Sequence, residues 1–396
     1  MKTEWVHKKL GDLGCSFSGL SGKTIDDFGE GKPFIPYMNI FTNGKIDPSK
    51  LEFVRIADNE HQNKVEKGDW FFTTSSETPE EVGMTSVLVD DIGEAYLNSF
   101  CFGFRLYNKE EIDPEFASYL FRSEELRKKI SLFAQGSTRY NLPKQQMFEK
   151  LFISYPESLS AQRRIAAILA SADKVIAATQ KTIAKYKQMK QGMMEDLLKP
   201  KEGWKMVKLG EVGKISMCKR VFSFETSTEG EIPFYKIGTF GKDADAFISR
   251  QLYEEYKSKF SYPKVGDILI SASGTIGRTV VYDGEPAYFQ DSNIIWIDND
   301  ETIVLNQFLY YLYKTITWNL EGSTIARLYN DNFNKIEISV PYKNDKPDLA
   351  EQRRIASILS GIDAKIAAEE KVLEKYEKVK KGLMERLLNE QCTMNN

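Results

Sequence analysis

Two loops in this chain bring arginine, tyrosine and asparagine together after a Gly-Ser-Thr turn, the first from Gly136 and the second from Gly322. Arginine can donate two hydrogen bonds to guanine and asparagine can bridge adenine in the major groove, while tyrosine can contact a base or the backbone. These residue types therefore predict a surface that reads nucleic acid. The candidates are Arg139, Tyr140, Asn141 and Lys144 in and after the first loop, and Arg327, Tyr329 and Asn330 in the second.

Two further turns combine hydroxyl groups with bare backbone, which suits contact with phosphate. Basic pairs and runs, among them Arg127–Lys129, offer local positive charge in an otherwise acidic chain. The alternative is that these are ordinary tight turns whose side chains pack locally, and for any one residue this alternative stays open. The candidates from this group are Ser75, Ser76, Lys219, Arg220, Ser273, Thr275 and Arg278.

The sequence carries no recognisable catalytic, cofactor or metal motif. Ser18–Thr24 resembles a phosphate-binding loop, but Phe17 stands where the required first glycine would be. The two histidines, His7 and His61, have no second ligand or nucleophile nearby in the sequence, and the four cysteines form no CxxC pair. We therefore predict a binding protein that is not an enzyme and that binds no cofactor or metal of its own.

The charge balance argues against a protein that holds nucleic acid unaided. The first block carries 19 Lys+Arg against 24 Asp+Glu, the second carries 17 against 20, and the whole chain has a net charge of −3. A protein that binds by neutralising phosphates alone is normally basic. The chain also lacks an apolar run long enough to cross a membrane and a signal-peptide core, so a cytoplasmic protein with no membrane association is expected.

The chain is an internal duplication, which decides how its motifs must be read. Gln162–Leu198 and Gln352–Leu388 are identical at about 20 of 37 positions, and each follows a block that opens with a tryptophan, Trp5 or Trp204. The order is block, helix, block, helix. The predicted boundaries are 1–156 for the first domain, 157–199 for the first helix, 200–345 for the second domain, 346–390 for the second helix and 391–396 for a tail.

Apolar residues in both repeated segments recur in alternating steps of four and three over five heptads, which is typical of a coiled coil. Because the two seams match, we predict that the helices pair with each other in antiparallel fashion, with one block at each end of a rod. Lys190 and Lys380 interrupt the seams and are expected to cost stability while fixing register. The alternative is that each helix packs only on its own block. The seam and docking candidates are Arg163, Arg164, Ile165, Leu169, Ile176, Ile183 and Tyr186, with Arg353, Arg354, Ile355, Leu359, Ile366, Leu373 and Tyr376.

Each block reads as mixed α and β structure. Short β-branched and aromatic runs, such as Trp70–Thr74 and Ile268–Ile270, are separated by Gly, Asp and Asn turns and predict strands. One helical stretch precedes each Gly-Ser-Thr loop, at Pro114–Ala134 and Leu305–Leu320. The predicted fold class is α+β: two similar domains separated by two long antiparallel helices, with a pseudo-two-fold internal repeat.

The whole chain resembles the DNA-specificity subunits of type I restriction–modification systems. The resemblance rests on the doubled layout, on Asp348–Leu359 (DLAEQRRIASIL) with its copy Leu159–Leu169, and on Trp204–Gly213 and Val265–Ser271. It implies two target-recognition domains that each read half of a bipartite double-stranded DNA sequence. It also implies helices that space the halves and dock two modification (methyltransferase) subunits, which restriction subunits join.

In that family the methyl donor S-adenosylmethionine, ATP and Mg would be held by the partner subunits rather than by this chain. One departure is that Ser75–Glu81 replaces the Ser-Gly-Thr-Ile-Gly turn of the second block, so the two domains should contact DNA differently there. Two other classes remain open at this stage. One is a coiled-coil adaptor with two protein-binding domains and no role at DNA, which the acidic blocks favour, and the other is an autonomous nuclease or methyltransferase.

Overall fold

A computed structural model describes residues 4–318 and 330–389. The chain divides into two compact units, one formed by the residues up to Lys181 together with those from Lys371 on, the other by Thr182–Glu370. Each unit therefore contains one α+β block and segments of both long helices.

The described residues of the first unit form eleven strands and five short α-helices before the long helix. The strands are β1 Trp5–Lys9, β2 Gly14–Ser18, β3 Phe28–Ile35, β4 Glu52–Val54, β5 Trp70–Thr73, β6 Ser75–Ser76, β7 Thr85–Val87, β8 Tyr96–Leu97, β9 Cys101–Leu106, β10 Tyr140–Asn141 and β11 Phe152–Pro156. The helices are α1 Leu10–Leu13, α2 Tyr37–Thr42, α3 Pro114–Leu120, α4 Glu124–Ser131, α5 Lys144–Lys150 and the long α6 Leu159–Leu198.

A four-stranded antiparallel sheet in the order β2-β9-β5-β7 forms the centre of this unit. All four residues of β5 are buried, which explains why its sequence is an unbroken aromatic run rather than an alternating one. The ring of Trp70 packs between Phe104 and Phe121, with centroids 5.3 and 4.8 Å away. A second sheet, β4-β3-β8, contains the parallel pair β3 and β8.

The second unit repeats this topology strand for strand. Its sheets are β13-β19-β16-β17 and β15-β14-β18, again with one parallel pair, β14 and β18. The strands are β12 Trp204–Lys208, β13 Gly213–Ser216, β14 Ile232–Tyr235, β15 Phe247–Ile248, β16 Ile268–Ser271, β17 Thr279–Val281, β18 Tyr288–Phe289, β19 Ile294–Asn299, β20 Glu337–Lys343 and β21 Lys346–Pro347. The helices are α7 Leu209–Val212, α8 Arg250–Lys259, α9 Asn306–Tyr313, α10 Asn330–Asn334 and α11 Leu349–Leu387.

The first and last strands of each block pair in the same register. Trp5 lies opposite Pro156 in the first block, and Trp204 lies opposite Pro341 in the second. A glycine-aspartate turn precedes each buried central strand, with φ of +93° at Gly68 and +92° at Gly266. The repeated sequence motifs at these points are therefore structural, and the predicted fold class of two α+β domains with two long helices is confirmed.

The predicted helical stretch Pro114–Ala134 is two helices, α3 and α4, and this part of the prediction is wrong. The chain leaves the helix at Phe121, and the Ser123 hydroxyl starts the next one by accepting a hydrogen bond from the Leu126 amide at 3.3 Å. The predicted stretch from Leu305 is also shorter, since α9 ends at Tyr313.

A buried glutamine in the first turn fastens each long helix to its own block. The side chain of Gln162 accepts a hydrogen bond from the Asp113 amide at 2.7 Å and donates to the carbonyls of Glu111 and Pro156 at 3.1 and 2.8 Å. Gln352 repeats this in the second unit, where it accepts from the Leu305 amide at 2.8 Å and donates to the Ile303 carbonyl at 2.9 Å. The glutamine of the duplicated Gln-Arg-Arg motif therefore fixes the first turn of each long helix to its block.

Within each unit, the two long helices run antiparallel and meet at a cluster of lysine, aspartate and tyrosine. In the first unit the Lys380 ammonium lies 2.5 Å from Asp173 Oδ1, and the Tyr119 hydroxyl donates to Asp173 Oδ2 at 2.7 Å. In the second unit Lys190 and Tyr311 bind Asp363 in the same way, at 2.5 and 2.8 Å. The two lysines that interrupt the predicted seams are therefore paired with carboxylates.

Neither long helix packs only on its own block, because each unit contains packed segments of both helices. In the first unit, Ile165 and Leu169 of α6 share a core with Leu388, which directly follows α11. In the second unit, Ile355 and Leu359 of α11 share a core with Leu198 of α6. Each block is thus covered by the start of one helix and by the end of the other.

Candidate nucleic-acid interface

The first unit brings two of the predicted loops together by pairing β6 with β10. Tyr140 lies opposite Ser76 and Asn141 lies opposite Ser75, although about 65 residues separate them in the chain. The guanidinium of Arg139 donates two hydrogen bonds to the Ser75 hydroxyl, from Nε at 3.2 Å and from Nη2 at 3.0 Å. The predicted constellation is therefore spatially contiguous in this unit.

The serine hydroxyls themselves face inward. Ser75 and Ser76 are 6% and 9% exposed, and the Ser76 hydroxyl donates to Glu81 Oε2 at 2.9 Å. Arg139, Asn141 and Lys144 are exposed, and Tyr140 is half-buried. In this geometry Ser75 orients Arg139 and Ser76 binds Glu81, while the exposed side chains around them are the ones that can meet a ligand.

Two half-buried arginines hold loops of the first unit in place. Arg122 donates to the carbonyls of Ile40 and Asn43 at 2.6 Å each, and burial lowers the pKa of its guanidinium to about 10. Arg127 donates to the Gly83 carbonyl at 2.6 Å, and burial lowers its pKa to about 10 as well. Both side chains therefore remain charged at neutral pH, and both are used to hold loops.

The basic run at Arg127–Lys129, expected to supply local positive charge, does not form a free positive patch. Arg127 is half-buried and donates to backbone carbonyls, while Lys128 and Lys129 each bind a glutamate one helical turn earlier, Glu124 and Glu125, at 2.6 Å. Pairs of this spacing are stabilising within a helix. The charges of the two lysines in this run are thus balanced by neighbouring glutamates.

In the second unit, a chain of polar contacts connects four residues near the end of β16. The Ser273 hydroxyl donates to Asn293 Oδ1 at 2.8 Å, and Arg220 Nε donates to Asp291 Oδ2 at 2.9 Å. Ser292 lies between the two acceptors in the sequence and has a φ of +54°. Two predicted residues, Ser273 and Arg220, therefore bind one tight loop through two residues that were not predicted, Asn293 and Asp291.

The remaining candidates of the second unit have different surroundings. Lys219 is exposed, with its ammonium 5.2 Å from the ring centroid of Phe260, and Thr275 is exposed at the tip of its turn. Arg278 is half-buried and donates to the Phe240 carbonyl at 2.8 Å, which gives it a structural contact. The predicted Arg327 and Tyr329 lie outside the described residues, as does the side chain of Asn330, which begins α10.

The seam candidates occupy the faces expected from their heptads. Ile165, Leu169 and Ile183 are buried in α6, as are Ile355, Leu359 and Ile366 in α11. The other seam and docking candidates are more exposed to solvent. Ile176, Tyr186 and Leu373 are half-buried, Tyr376 is 39% exposed, and Arg163, Arg164, Arg353 and Arg354 are exposed.

Both helices also carry apolar residues on an outward face. In the first unit, Ile168 and Val175 lie seven residues apart in α6 and are 41% and 40% exposed. Val372 and Val379 repeat this spacing in α11 and are 40% and 47% exposed. We call these four residues the outer columns. A heptad-spaced apolar column in solvent is suited to contact with another protein.

Within the described ranges 4–318 and 330–389, no group of three or more His, Cys, Asp or Glu residues is arranged to hold a metal ion. The same ranges contain no helix long and apolar enough to span a bilayer.

The sequence profile of the type I restriction modification DNA specificity domain matches the chain twice, over residues 2–188 and 201–378. The chain belongs to this DNA specificity family. Relatives of this specificity protein include a putative type I restriction enzyme specificity subunit of Haemophilus influenzae, 61% identical over 166 residues. That match spans 42% of this chain and 42% of the relative. The MjaVIII specificity subunit of Methanocaldococcus jannaschii is 29% identical over 70% of this chain and 71% of its own length.

Solved structures support the fold of the specificity protein over almost its whole length. A type I restriction–modification S subunit from M. genitalium has a TM-score of 0.60 at 17% identity, covering 98% of this chain and 96% of that one. At this identity the likeness concerns the fold. It agrees with the two duplicated α+β domains and the two long helices described above.

Sequence reasoning missed several exposed residues of the specificity protein that flank its candidate surfaces. Phe100 is 58% exposed. It occupies in the first unit the position that Asn293 occupies in the second, because the Phe100 carbonyl accepts a hydrogen bond from the Thr74 amide, as the Asn293 carbonyl does from the Ala272 amide. Phe222 and Phe224 are also exposed, two and four residues beyond Arg220. The available signal was a Phe-Ser-Phe sequence within a polar loop.

Proposed function

We propose that this chain is the DNA-reading subunit of a type I restriction–modification complex, in which each α+β domain reads one half of a bipartite target. The observation that carries the proposal is the duplication of one α+β topology in two domains whose candidate surface residues differ in type and place. Arg139 and Asn141 stand in the first domain, and Arg220 and Asn293 in the second. Two half-sites of different sequence require such a pair of readers.

Base reading follows from the exposed side chains rather than from the serine hydroxyls. Arg139, held by Ser75, presents a guanidinium that can donate to guanine, and Asn141 presents an amide that can bridge adenine. In the second domain Lys219 supplies positive charge, and Arg220 presents a guanidinium that Asp291 holds in place. Each good two-bond contact discriminates by about 1–3 kcal/mol between bases.

The acidic balance of the chain fits a reader that works inside a larger complex. With a net charge of −3, the isolated chain has too little positive field to condense on phosphates. Methyltransferase subunits that surround the duplex would provide that field. We propose that two of them dock on the helices, since the long helices Gln162–Leu198 and Gln352–Leu388 are copies of one segment. Restriction subunits then join, and S-adenosylmethionine, ATP and Mg are bound by these partners.

The DNA-reading claim is tested with the purified complex of this chain and the methyltransferase subunit of its own system. Arg139→Ala is expected to relax specificity in one half of the methylated motif, and Arg220→Ala in the other half, because each removes a contact in one domain only. Lys109→Ala is the matched control, since Lys109 is exposed and binds Glu66 at 2.6 Å. If both arginine variants keep the full motif, the assignment of the reading surface is wrong.

The docking claim has its own test. Replacing Ile168 and Val175 together by serine removes exposed apolar surface without opening the core, so the chain should fold normally yet lose co-purifying methyltransferase subunit. Met206→Ser, on β12 and 59% exposed, is the control. Unchanged assembly would exclude this face of α6 as the docking surface. A chain that assembles with no methyltransferase subunit at all would favour the alternative of a protein-binding adaptor.

A further inference from the structure

An exposed aromatic pair stands beside the basic residues Lys219 and Arg220. The rings of Phe222 and Phe224 are nearly parallel, with an interplanar angle of 6° and centroids 5.6 Å apart. Phe224 is 82% exposed and Phe222 is 48% exposed. Because apolar surface in water is unfavourable, two adjacent rings kept in solvent indicate a surface that becomes covered on binding.

The turn that presents these rings is held by hydrogen bonds. The Phe222 amide donates to Glu225 Oε2 at 2.8 Å, and the hydroxyl of Tyr256 on α8 donates to Glu225 Oε1 at 3.1 Å. On the far side of the turn, the Thr226 hydroxyl donates to the Ser223 carbonyl at 2.8 Å. The rings are thus carried on a fixed support, so little conformational entropy is lost when they meet a ligand.

The surroundings identify the kind of ligand. Arg220 and Lys219 precede the pair in the chain, and the Lys219 ammonium lies over the ring of Phe260, which is itself 42% exposed. Cations alternating with exposed aromatic rings are typical of surfaces where phosphates are bound and bases are stacked. The charge complementarity therefore favours nucleic acid over an apolar protein surface as the occupant.

We propose that Phe224, backed by Phe222, is a wedge that inserts between neighbouring base pairs at the half-site read by the second domain. This inference rests on the proposed function, since it assumes that this domain faces DNA. Insertion of an apolar side chain partly unstacks one base step and bends the duplex. Steps that unstack easily are then favoured, which adds specificity at a position where no base edge is contacted.

The first unit carries an apolar residue on the equivalent turn. Ile25 is 87% exposed, and the Thr24 amide donates to Asp27 Oδ2 at 2.8 Å, as the Phe222 amide does to Glu225. The capping hydrogen bond is thus duplicated, but Ile25 stands at the position of Ser223, and Asp26 stands at the position of Phe224. An aspartate cannot wedge between base pairs, so the first domain should distort its half-site less.

The test uses the complex of the full chain with its methyltransferase subunits, bound to duplexes that carry 2-aminopurine at successive positions of the target. Wild-type complex should raise the fluorescence at one step of the second half-site, where the wedge unstacks the bases. Phe224→Ala should abolish that rise and weaken target binding on the order of tenfold. Phe224→Trp should retain both, and Met206→Ala, a distant exposed residue of the same unit, should change neither.

The flipped adenine that a methyltransferase extracts also fluoresces when replaced, and its signal should persist in Phe224→Ala. The experiment therefore distinguishes failure of the proposed function from failure of the wedge alone. Absence of specific binding by the wild-type complex would remove the proposed function itself. Wild-type binding with an unchanged 2-aminopurine profile in Phe224→Ala would overturn the wedge alone, and so would loss of subunit assembly in that variant, because the pair would then be a protein contact.

Discussion

The buried glutamine at the start of each long helix provides a quantitative test of how the helices are fastened to the blocks. Replacing Gln162 by leucine keeps the volume but leaves the Asp113 amide and the carbonyls of Glu111 and Pro156 without their partner. An unsatisfied buried group costs about 1–3 kcal/mol. Removal of the buried amide of the glutamine offsets part of this, so the net loss in the free energy of unfolding should be about 3–5 kcal/mol.

In a unit of this size, about 1 kcal/mol corresponds to a shift of about 2–4 °C in Tm. Scanning calorimetry of Gln162→Leu should therefore show the transition of the first unit lowered by about 10 °C. Gln352→Leu leaves two groups unsatisfied and should lower the transition of the second unit by less.

Gln180→Leu, at an exposed position of the same helix, is the matched control and should leave both transitions within about 2 °C of their original values. Hydrogen exchange would locate the effect, because the Asp113 amide should lose protection in Gln162→Leu. A shift no larger than that of the control would refute the view that this motif anchors the helix.

Three further predictions concern the helices and the surface. Asp173→Ala should lower the free energy of unfolding of the first unit by about 1–2 kcal/mol. A double-mutant cycle with Lys380→Ala, measured by urea unfolding, should give a coupling free energy of about 1 kcal/mol. Additive effects of the two substitutions would exclude the pairing. Hydrogen bonds from Lys32, Lys64 and Tyr96 lower the pKa of Glu94 to about 2. The stabilisation that these bonds give the folded chain is therefore complete above the ordinary pKa of 4.5 and is lost as the pH falls towards 2. Glu94→Gln should flatten Tm against pH in that window, and an unchanged profile would count against this cluster. Inserting one heptad, about 10 Å of helix, should lengthen the unspecified spacer of the target by a few base pairs or abolish function, and an unchanged motif would contradict a spacing role.

The duplication and the helices could be predicted because their signals are local. Heptad spacing and the repeated Gln-Arg-Arg motif are visible in the sequence, and α6 and α11 begin within a few residues of the expected positions. The partners of Lys190 and Lys380 could not be read in the same way. Each pairs with an aspartate on the other long helix, and only the antiparallel register brings the two together.

The candidate surface was harder to predict because burial depends on distant pairing. Ser75 and Ser76 belong to a turn rich in hydroxyl groups, which favours an exposed site in sequence reasoning. Pairing with Tyr140 and Asn141 buries them and turns their hydroxyls inward. Conversely, phenylalanine is ordinarily expected in the core, so the exposure of Phe224 could be seen only in the folded chain.

The central claim is that this chain determines a bipartite DNA sequence, and methylome sequencing tests it most directly. A host that expresses the chain together with the methyltransferase subunit of its system should acquire one new methylated motif, made of two specified halves and an unspecified spacer. The motif should be absent when either subunit is expressed alone. Methylation that is absent, or that has a single continuous motif, would contradict the account.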